Sequence, residues 1–310
     1  MAGTGHPQSL LMTLSLLNLN HSAIASPFSS AFTLDHHAPP RSTPAEVVVA
    51  SPFSMATGQN VFSFRDLRLD VKVFPDTMSQ ITGNSEIRTI VDGVSGECKS
   101  GQTLAILGPS GAGKTSLLNI LTLNATSPGS EAYGTCTLNG NQIDQSLFQK
   151  HCVFVEQLDN HRAFLSPRQA LRYATDFYRP GASSQDKDKE VQDLLVKLGL
   201  EVCAETPVGN LFMQGLSGGQ KKRLSVALAL VKRPEVLFLD EPTSGLDAAA
   251  SSNVMKYISQ LAVEMNIIVI ATIHQPSSAI YFAFDRVMVL SGGKNAFFGS
   301  PRGSVDYFKE

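Results

Sequence analysis

The eight residues Gly108-Pro109-Ser110-Gly111-Ala112-Gly113-Lys114-Thr115 fit the pattern G-x-x-x-x-G-K-[ST] without a mismatch. Glycines at these spacings let successive backbone N–H groups close around an anion, and a helix that follows turns its positive end toward it. The chemistry this suits is the cradling of a polyphosphate. Lys114 would reach the β- and γ-phosphates, and the Thr115 hydroxyl would be a ligand for Mg2+. Farther along, Val236-Leu237-Phe238-Leu239 is an apolar run that ends in Asp240-Glu241. A strand of this kind sets Asp240 beside a metal ion, by way of water, and Glu241 where it can orient and deprotonate an attacking water. Between the two motifs lies Leu216-Ser217-Gly218-Gly219-Gln220. A second glycine-bearing turn just ahead of the acidic strand is wanted when a nucleotide is sandwiched between two subunits. Ser217 can cap a helix that runs into Lys221-Lys222-Arg223 and aims its N-terminus at an anion.

The elements that must position these residues are legible in the hydrophobic pattern. Val61-Phe62-Ser63-Phe64 and Leu67 to Val73 alternate as half-buried antiparallel strands do, and Ile87 to Val91 reads as a third strand after a Gly/Ser-bearing loop from Pro75 to Ser85. Gly101 to Leu107 is a short apolar strand, and Lys114 to Leu123 is helical, so the glycine loop sits between strand and helix. Thr135 to Leu138 and Cys152 to Val155 read as further strands. From Ser166 to Leu200 the period turns helical. Ser166-Pro167 opens one helix in the N-cap and N1 arrangement, and Asp186 to Leu200 forms a second, with the charge run Asp186 to Glu190 as its solvated face. Strand patterns return at Val236 to Leu239, Ile267 to Thr272 and Val287 to Leu290. This alternation implies an α/β fold with a mostly parallel core sheet, an antiparallel β flank and an inserted helical segment.

Composition narrows the function classes. The chain has 310 residues, 43% hydrophobic and 17% charged, with a net charge of -2. That balance offers no basic face for nucleic acid. The cysteines Cys98, Cys136, Cys152 and Cys203 lie far apart, without metal-ligand spacing, and read as free buried thiols. No apolar stretch approaches the roughly 20 residues needed to cross a bilayer. Residues 1 to 34 carry no Asp, Glu, Lys or Arg, and Leu10 to Leu19 is apolar ahead of Ala23-Ile24-Ala25. This is similar to a signal peptide but lacks the basic start, so residues 1–60 are read as a disordered polar leader with a proline-rich linker.

In this order the motifs resemble those of an ATP-binding cassette (ABC) nucleotide-binding domain, over residues 61–310 with a helical subdomain at about 160–234. The resemblance implies a P-loop NTPase of ABC type that binds ATP and Mg2+. It assigns Gly108, Pro109, Ser110, Gly111, Ala112, Gly113, Lys114, Thr115 and Ser116 to the phosphates. Gln157, in Val155-Glu156-Gln157, takes the position that touches Mg2+ and water, so the implied metal set is Thr115, Gln157 and Asp240. Glu241, His274 and Gln157 become the catalytic group, with His274 on the γ-phosphate. Ser217, Gly218, Gly219 and Gln220 are implied to meet ATP held by a second ABC domain, and Asp247, in Ser244-Gly245-Leu246-Asp247, to lie where the dimer interface crosses. A lone glutamine or histidine after a strand is ordinarily structural, and it is their joint occurrence in family order that carries these roles. Phe74 is open between stacking on adenine and a place in a core or loop.

Ala271 to Ser277, the loop with its preceding strand, and Phe297-Phe298-Gly299 followed by Tyr307-Phe308 are similar to the G subfamily, the White-pigment and pleiotropic-drug-resistance transporters. Those proteins place the ATPase domain ahead of their membrane helices. A transmembrane domain is therefore expected on a further segment or a separate chain, with this one at the cytosolic face of a membrane. Leu158 to Pro167 departs from the subfamily's Phe-Pro-x-x-Thr-Val-type stretch, carrying Asn160-His161-Arg162-Ala163-Phe164 instead. Two functions follow: an ATPase module that powers a transporter, or a soluble ABC-type regulator that binds ATP and moves nothing.

Overall fold

A computed structural model describes residues 59–74, 85–124, 129–210 and 212–309. The leader read over residues 1–60 and the loop read over residues 75–85 lie almost wholly outside the described residues. Two sheets and the helices around them make up the described part.

The first sheet is antiparallel, built from β1 (Val61–Val73), β2 (Glu86–Lys99), β4 (Ser130–Leu138) and the short β5 (Asn141–Gln142), in the order β2-β1-β4-β5. The two alternating runs expected at Val61–Phe64 and Leu67–Val73 are one continuous strand. A bulge between Phe64 and Leu67 joins them. There Asp66 takes φ +50°, and its N–H donates to Ser95 Oγ at 2.8 Å. The opposite strand accommodates the bulge at Gly134, where a Cβ would stand 2.6 Å from the Arg65 carbonyl oxygen.

The second sheet has the order β10-β9-β3-β8-β7-β6. Its parallel members are β3 (Thr103–Leu107), β6 (Cys152–Val155), β7 (Val236–Leu239), β8 (Ile268–Thr272) and β9 (Arg286–Ser291), with β10 (Lys294–Gly299) antiparallel at one edge. β3, β7 and β8 are buried at every position. Both faces are covered, which is why their sequences are continuous apolar runs rather than alternating ones. Leu104, Ile106, Phe238 and Ile270 face the antiparallel sheet and α1 (Lys114–Leu121), where Phe238 meets Phe62 edge-on at 5.4 Å. Ala105, Leu237, Leu239 and Val269 face a second core shared with the helices inserted between β6 and β7.

Those helices are α3 (Pro167–Tyr178), α4 (Ser184–Lys197) and α5 (Gly218–Leu230); α2 (Gln145–His151) precedes β6. After β7 come α6 (Ala248–Glu264), the single turn α7 (Ser278–Tyr281) and, after β10, α8 (Pro301–Tyr307). Ser166 and Gln169 close a reciprocal capping box on α3, as the Ser-Pro start predicts. The charge run of α4 is not simply a solvated face. Lys187 is buried and donates to Asp176 of α3 at 2.9 Å, Asp188 pairs with Arg172, and Glu190 accepts from Arg179 and Arg233. Asp186, Asp188 and Lys189 are exposed, so the run is a solvated face from which Lys187 and Glu190 turn inward.

Candidate active site

Four neighbouring parallel strands, β3, β8, β7 and β6, bring their C-terminal ends to one edge of the sheet. In open α/β sheets that edge is where ligands bind. The glycine loop leaves β3 there, Ile273-His274 leaves β8, Asp240-Glu241 leaves β7 and Glu156-Gln157 leaves β6. Residues 108, 274, 240 and 157, far apart in sequence, become neighbours because of strand order alone.

The loop is held by close packing against backbone. A Cβ at Gly108 would stand 2.5 Å from the Leu290 carbonyl oxygen at the end of β9. Gly113 has φ +95°, and a Cβ there would stand 3.0 Å from the Ile90 carbonyl oxygen. Only glycine fits either place. Pro109, Ser110 and Gly111 are exposed, Ala112 and Gly113 are buried, and Ser116 is half-buried. Lys114 is buried as well, its Nζ donating to the Gly108 and Pro109 carbonyls at 2.9 and 3.0 Å. The ammonium is thereby pinned at the mouth of the loop, with Thr115 exposed beside it in the first turn of α1. No acidic residue occupies that turn, so its N–H groups and the lysine offer positive charge to an anion.

The two acids are aimed by neighbouring strands. The Asp240 N–H donates to the Val155 carbonyl at 3.0 Å, tying β7 to β6. Asp240 Oδ1 accepts the Thr272 hydroxyl proton at 2.6 Å, and Thr272 Oγ1 in turn accepts the Glu241 N–H at 2.9 Å. Glu241 sits at φ +42°, a left-handed backbone that costs a non-glycine residue of order 1–2 kcal/mol and persists because its surroundings enforce it. Gln157 Nε2 donates to Glu241 Oε2 at 3.1 Å and to Ser244 Oγ at 3.2 Å. Since the amide nitrogen is engaged there, the Gln157 oxygen remains available to a cation. The Ile273 N–H donates to the Ile106 carbonyl at 3.0 Å, which keeps His274 alongside the start of the glycine loop. His274 is exposed.

Ser217 is exposed at the N-cap of α5 and forms a capping box with Gln220: its Oγ accepts the Gln220 N–H at 3.3 Å, while Gln220 Oε1 accepts the Ser217 N–H at 2.8 Å. A Cβ at Gly218 would stand 2.9 Å from Leu246 Cδ2, and Gly219 lies against Ala250. The Ser217 turn therefore packs beside the Ser244–Asp247 segment. Asp247 is itself an N-cap, its carboxylate accepting the Ala250 N–H at 2.8 Å. Phe74 is exposed at the end of β1, so it is not a core residue.

Three contributors escaped the sequence reading. Thr272 was legible only as the one hydroxyl in the apolar run of β8. Ser244 was read as part of a motif rather than as a partner of Gln157. Lys222, in a run of basic residues, is buried.

The donor set suits the groups the motifs imply. Among the described residues no cluster of three or more His, Cys, Asp or Glu could cage a metal by itself. The Thr115 hydroxyl, the Asp240 carboxylate and the Gln157 amide oxygen are hard oxygen donors. Mg2+ is bound in this way, through one or two carboxylates, waters and substrate phosphates rather than by an all-protein cage.

Fold and site together define a P-loop nucleotide-binding domain of α/β type, carrying an antiparallel flank and a helical insertion. Residues 91–244 match the family model described as ABC transporter. ABC transporter G family member 1 of Dictyostelium discoideum is 37% identical over 250 residues, covering 80% of this chain and 30% of that protein. Member 22 of the same organism is 34% identical over 276 residues, covering 87% and 42%. Member 7 of Arabidopsis thaliana is 40% identical over 218 residues, covering 70% and 30%. The chain belongs to the ABC transporter family, and the three relatives just named are G family members. It spans well under half the length of these relatives. Domains of this family bind ATP and are ATPases. Among the described residues no helix is long and apolar enough to cross a membrane.

Proposed function

We propose that this chain hydrolyses ATP in a dimer of two such domains and drives a transporter through a transmembrane partner at the cytosolic face of a membrane. In this reading residues 61–310 are the working unit, with residues 160–234 as its helical subdomain and residues 1–60 as a leader. The observation that carries it is the contact of Gln157 with Glu241 at the same sheet edge as the loop around Lys114.

Lys114 and the N–H groups of Gly108 to Ser116 bind the phosphates. Thr115, Asp240 and Gln157 would hold Mg2+, which would supply charge neutralisation to the phosphates when bound. Glu241 takes the proton of the attacking water, and Gln157 keeps that carboxylate turned toward it. His274 donates to the γ-phosphate. Ser217, Gly218, Gly219 and Gln220 of each copy complete the other copy's site, with Asp247 at the crossing. Catalysis is then positioning plus electrostatic stabilisation. The exposure of Ser217 at a helix N-terminus favours this composite arrangement. Phe74 is the residue proposed to stack on adenine.

Phosphate release from ATP by the 310-residue chain tests the reading. Hydrolysis that requires Mg2+ and disappears in Glu241→Gln is expected; ATP bound without turnover by the parent chain would contradict it. Co-purification with an integral membrane chain separates a transporter module from a regulator that binds ATP and moves nothing.

A further inference from the structure

In the basic run Lys221-Lys222-Arg223 of α5, Lys222 is only 2% exposed. An ammonium group out of water must spend all its N–H donors. Lys222 Nζ spends them on the Gln157 carbonyl at 2.8 Å, the Glu156 carbonyl at 3.4 Å and Asp159 Oδ1 at 3.0 Å. Asp159 Oδ1 also accepts the Ser225 hydroxyl proton at 2.6 Å. With that proton committed, His161 must carry its own on Nε2, which donates to the Lys221 carbonyl at 3.0 Å. The stretch from Glu156 to His161 is thus clamped to α5 along its length. The side chain of Gln157, whose backbone Lys222 grips, is the one that donates to Glu241 and Ser244. The helix that grips it is capped by Ser217.

We propose that Lys222 is a positioning residue: its buried ammonium fixes the Gln157 backbone so that the Gln157 amide meets Glu241, joining α5 to the acid end of β7. The consequence for turnover rests on the ATPase reading above; the clamp itself does not.

The test uses the 310-residue chain. Lys222→Met keeps the unbranched chain, one atom shorter, and removes the donors. Lys222→Met with Asp159→Asn removes the same donors without stranding a carboxylate charge, so folding is protected in one of the two. Hydrogen exchange over residues 156–161 needs no turnover. It is expected to rise by about tenfold or more in the Lys222 variants while α1 keeps its protection. Unchanged exchange in a folded variant overturns the proposal.

Hydrolysis gives the second readout. In Lys222→Met, kcat is expected to fall by about 10- to 100-fold with ATP affinity held. In a Gln157→Ala background the same substitution should cost little further, because the side chain it positions is gone. Equal losses in both backgrounds would mark Lys222 as merely structural and overturn the proposal. A parent chain that hydrolyses nothing sinks the ATPase reading alone, and exchange then decides the role of Lys222 by itself.

Discussion

The hydroxyl of Thr272, fully buried at the end of β8, donates to Asp240 Oδ1 at 2.6 Å across to the end of β7. The same oxygen accepts the N–H of Glu241 at 2.9 Å. One side chain therefore sets the direction of the acid proposed to face Mg2+ and the backbone turn of the acid proposed to act as base. Removing it leaves the half-buried Asp240 carboxylate oxygen and Glu241 N–H without this partner.

Thr272→Val keeps the shape and deletes the hydroxyl. It is expected to cost about 1–3 kcal/mol of stability, since two hydrogen bonds are lost and one of them is to a carboxylate. It should also lower kcat by about tenfold or more with ATP affinity little changed, because both acids lose their aim. Thr272→Ser restores both. Denaturant unfolding and steady-state hydrolysis measure the two effects, and a valine variant equal to the parent in both would remove Thr272 from the site.

Glu241→Gln changes the proposed base into an amide whose oxygen still accepts from Gln157. ATP binding is expected to persist, and the ATP-loaded dimer to accumulate because turnover no longer opens it. Size-exclusion chromatography with saturating ATP and Mg2+ reads this directly. A monomer under those conditions contradicts it.

Lys114→Ala removes the bonds to the Gly108 and Pro109 carbonyls together with the charge-assisted contact proposed to phosphate. Contacts of this class are worth about 1.5–3 kcal/mol, so ATP affinity should fall by about 10- to 100-fold. Titration calorimetry showing an unchanged dissociation constant would rule the role out.

His161 gives the stability a sign with pH. Burial holds its imidazole below the usual histidine range, against the opposing pull of the Lys221 carbonyl and Asp159 and with the help of Lys222 and Lys221. Ser225 faces the same ring nitrogen. The unfolded chain protonates this histidine near its ordinary 6.5, while the folded chain resists. The unfolded state therefore binds more protons as pH falls through that value, and stability drops. Urea unfolding at about pH 7.5 and 5.5 should show a steeper loss in the parent than in His161→Gln. Equal slopes would show that the ring is not held neutral by the fold.

The fold was largely legible because its signals are strong ones: continuous apolar runs for strands covered on both faces, and serines at helix starts. The bulge at Asp66 hid the continuity of β1, since the alternation changes phase there and reads as two strands. The roles of Thr272 and Lys222 were hidden for a different reason. A hydroxyl in an apolar run and a lysine in a basic run are read by their neighbours in sequence, whereas both act across strands and helices that only the fold brings together. Lys187 and Glu190 of α4 escaped in the same way, since a periodic charged face looks alike in sequence whether a given residue meets water or turns inward to a partner. The cysteines show the converse. All four are free and buried, and burial raises Cys98, Cys136 and Cys152 to about 12, which makes them inert thiols as their scattered spacing suggests.

The central claim is that each nucleotide site is finished by the α5 turn of another copy. Two defective chains test it when mixed: one carrying Lys114→Ala with Glu241→Gln but an intact Ser217, the other carrying Ser217→Arg but an intact loop and acids. Each alone should be inert. Combined, they form one whole site from the intact halves, and ATP hydrolysis should reappear. A mixture as inert as its components, or a Ser217→Arg chain fully active by itself, would contradict the account.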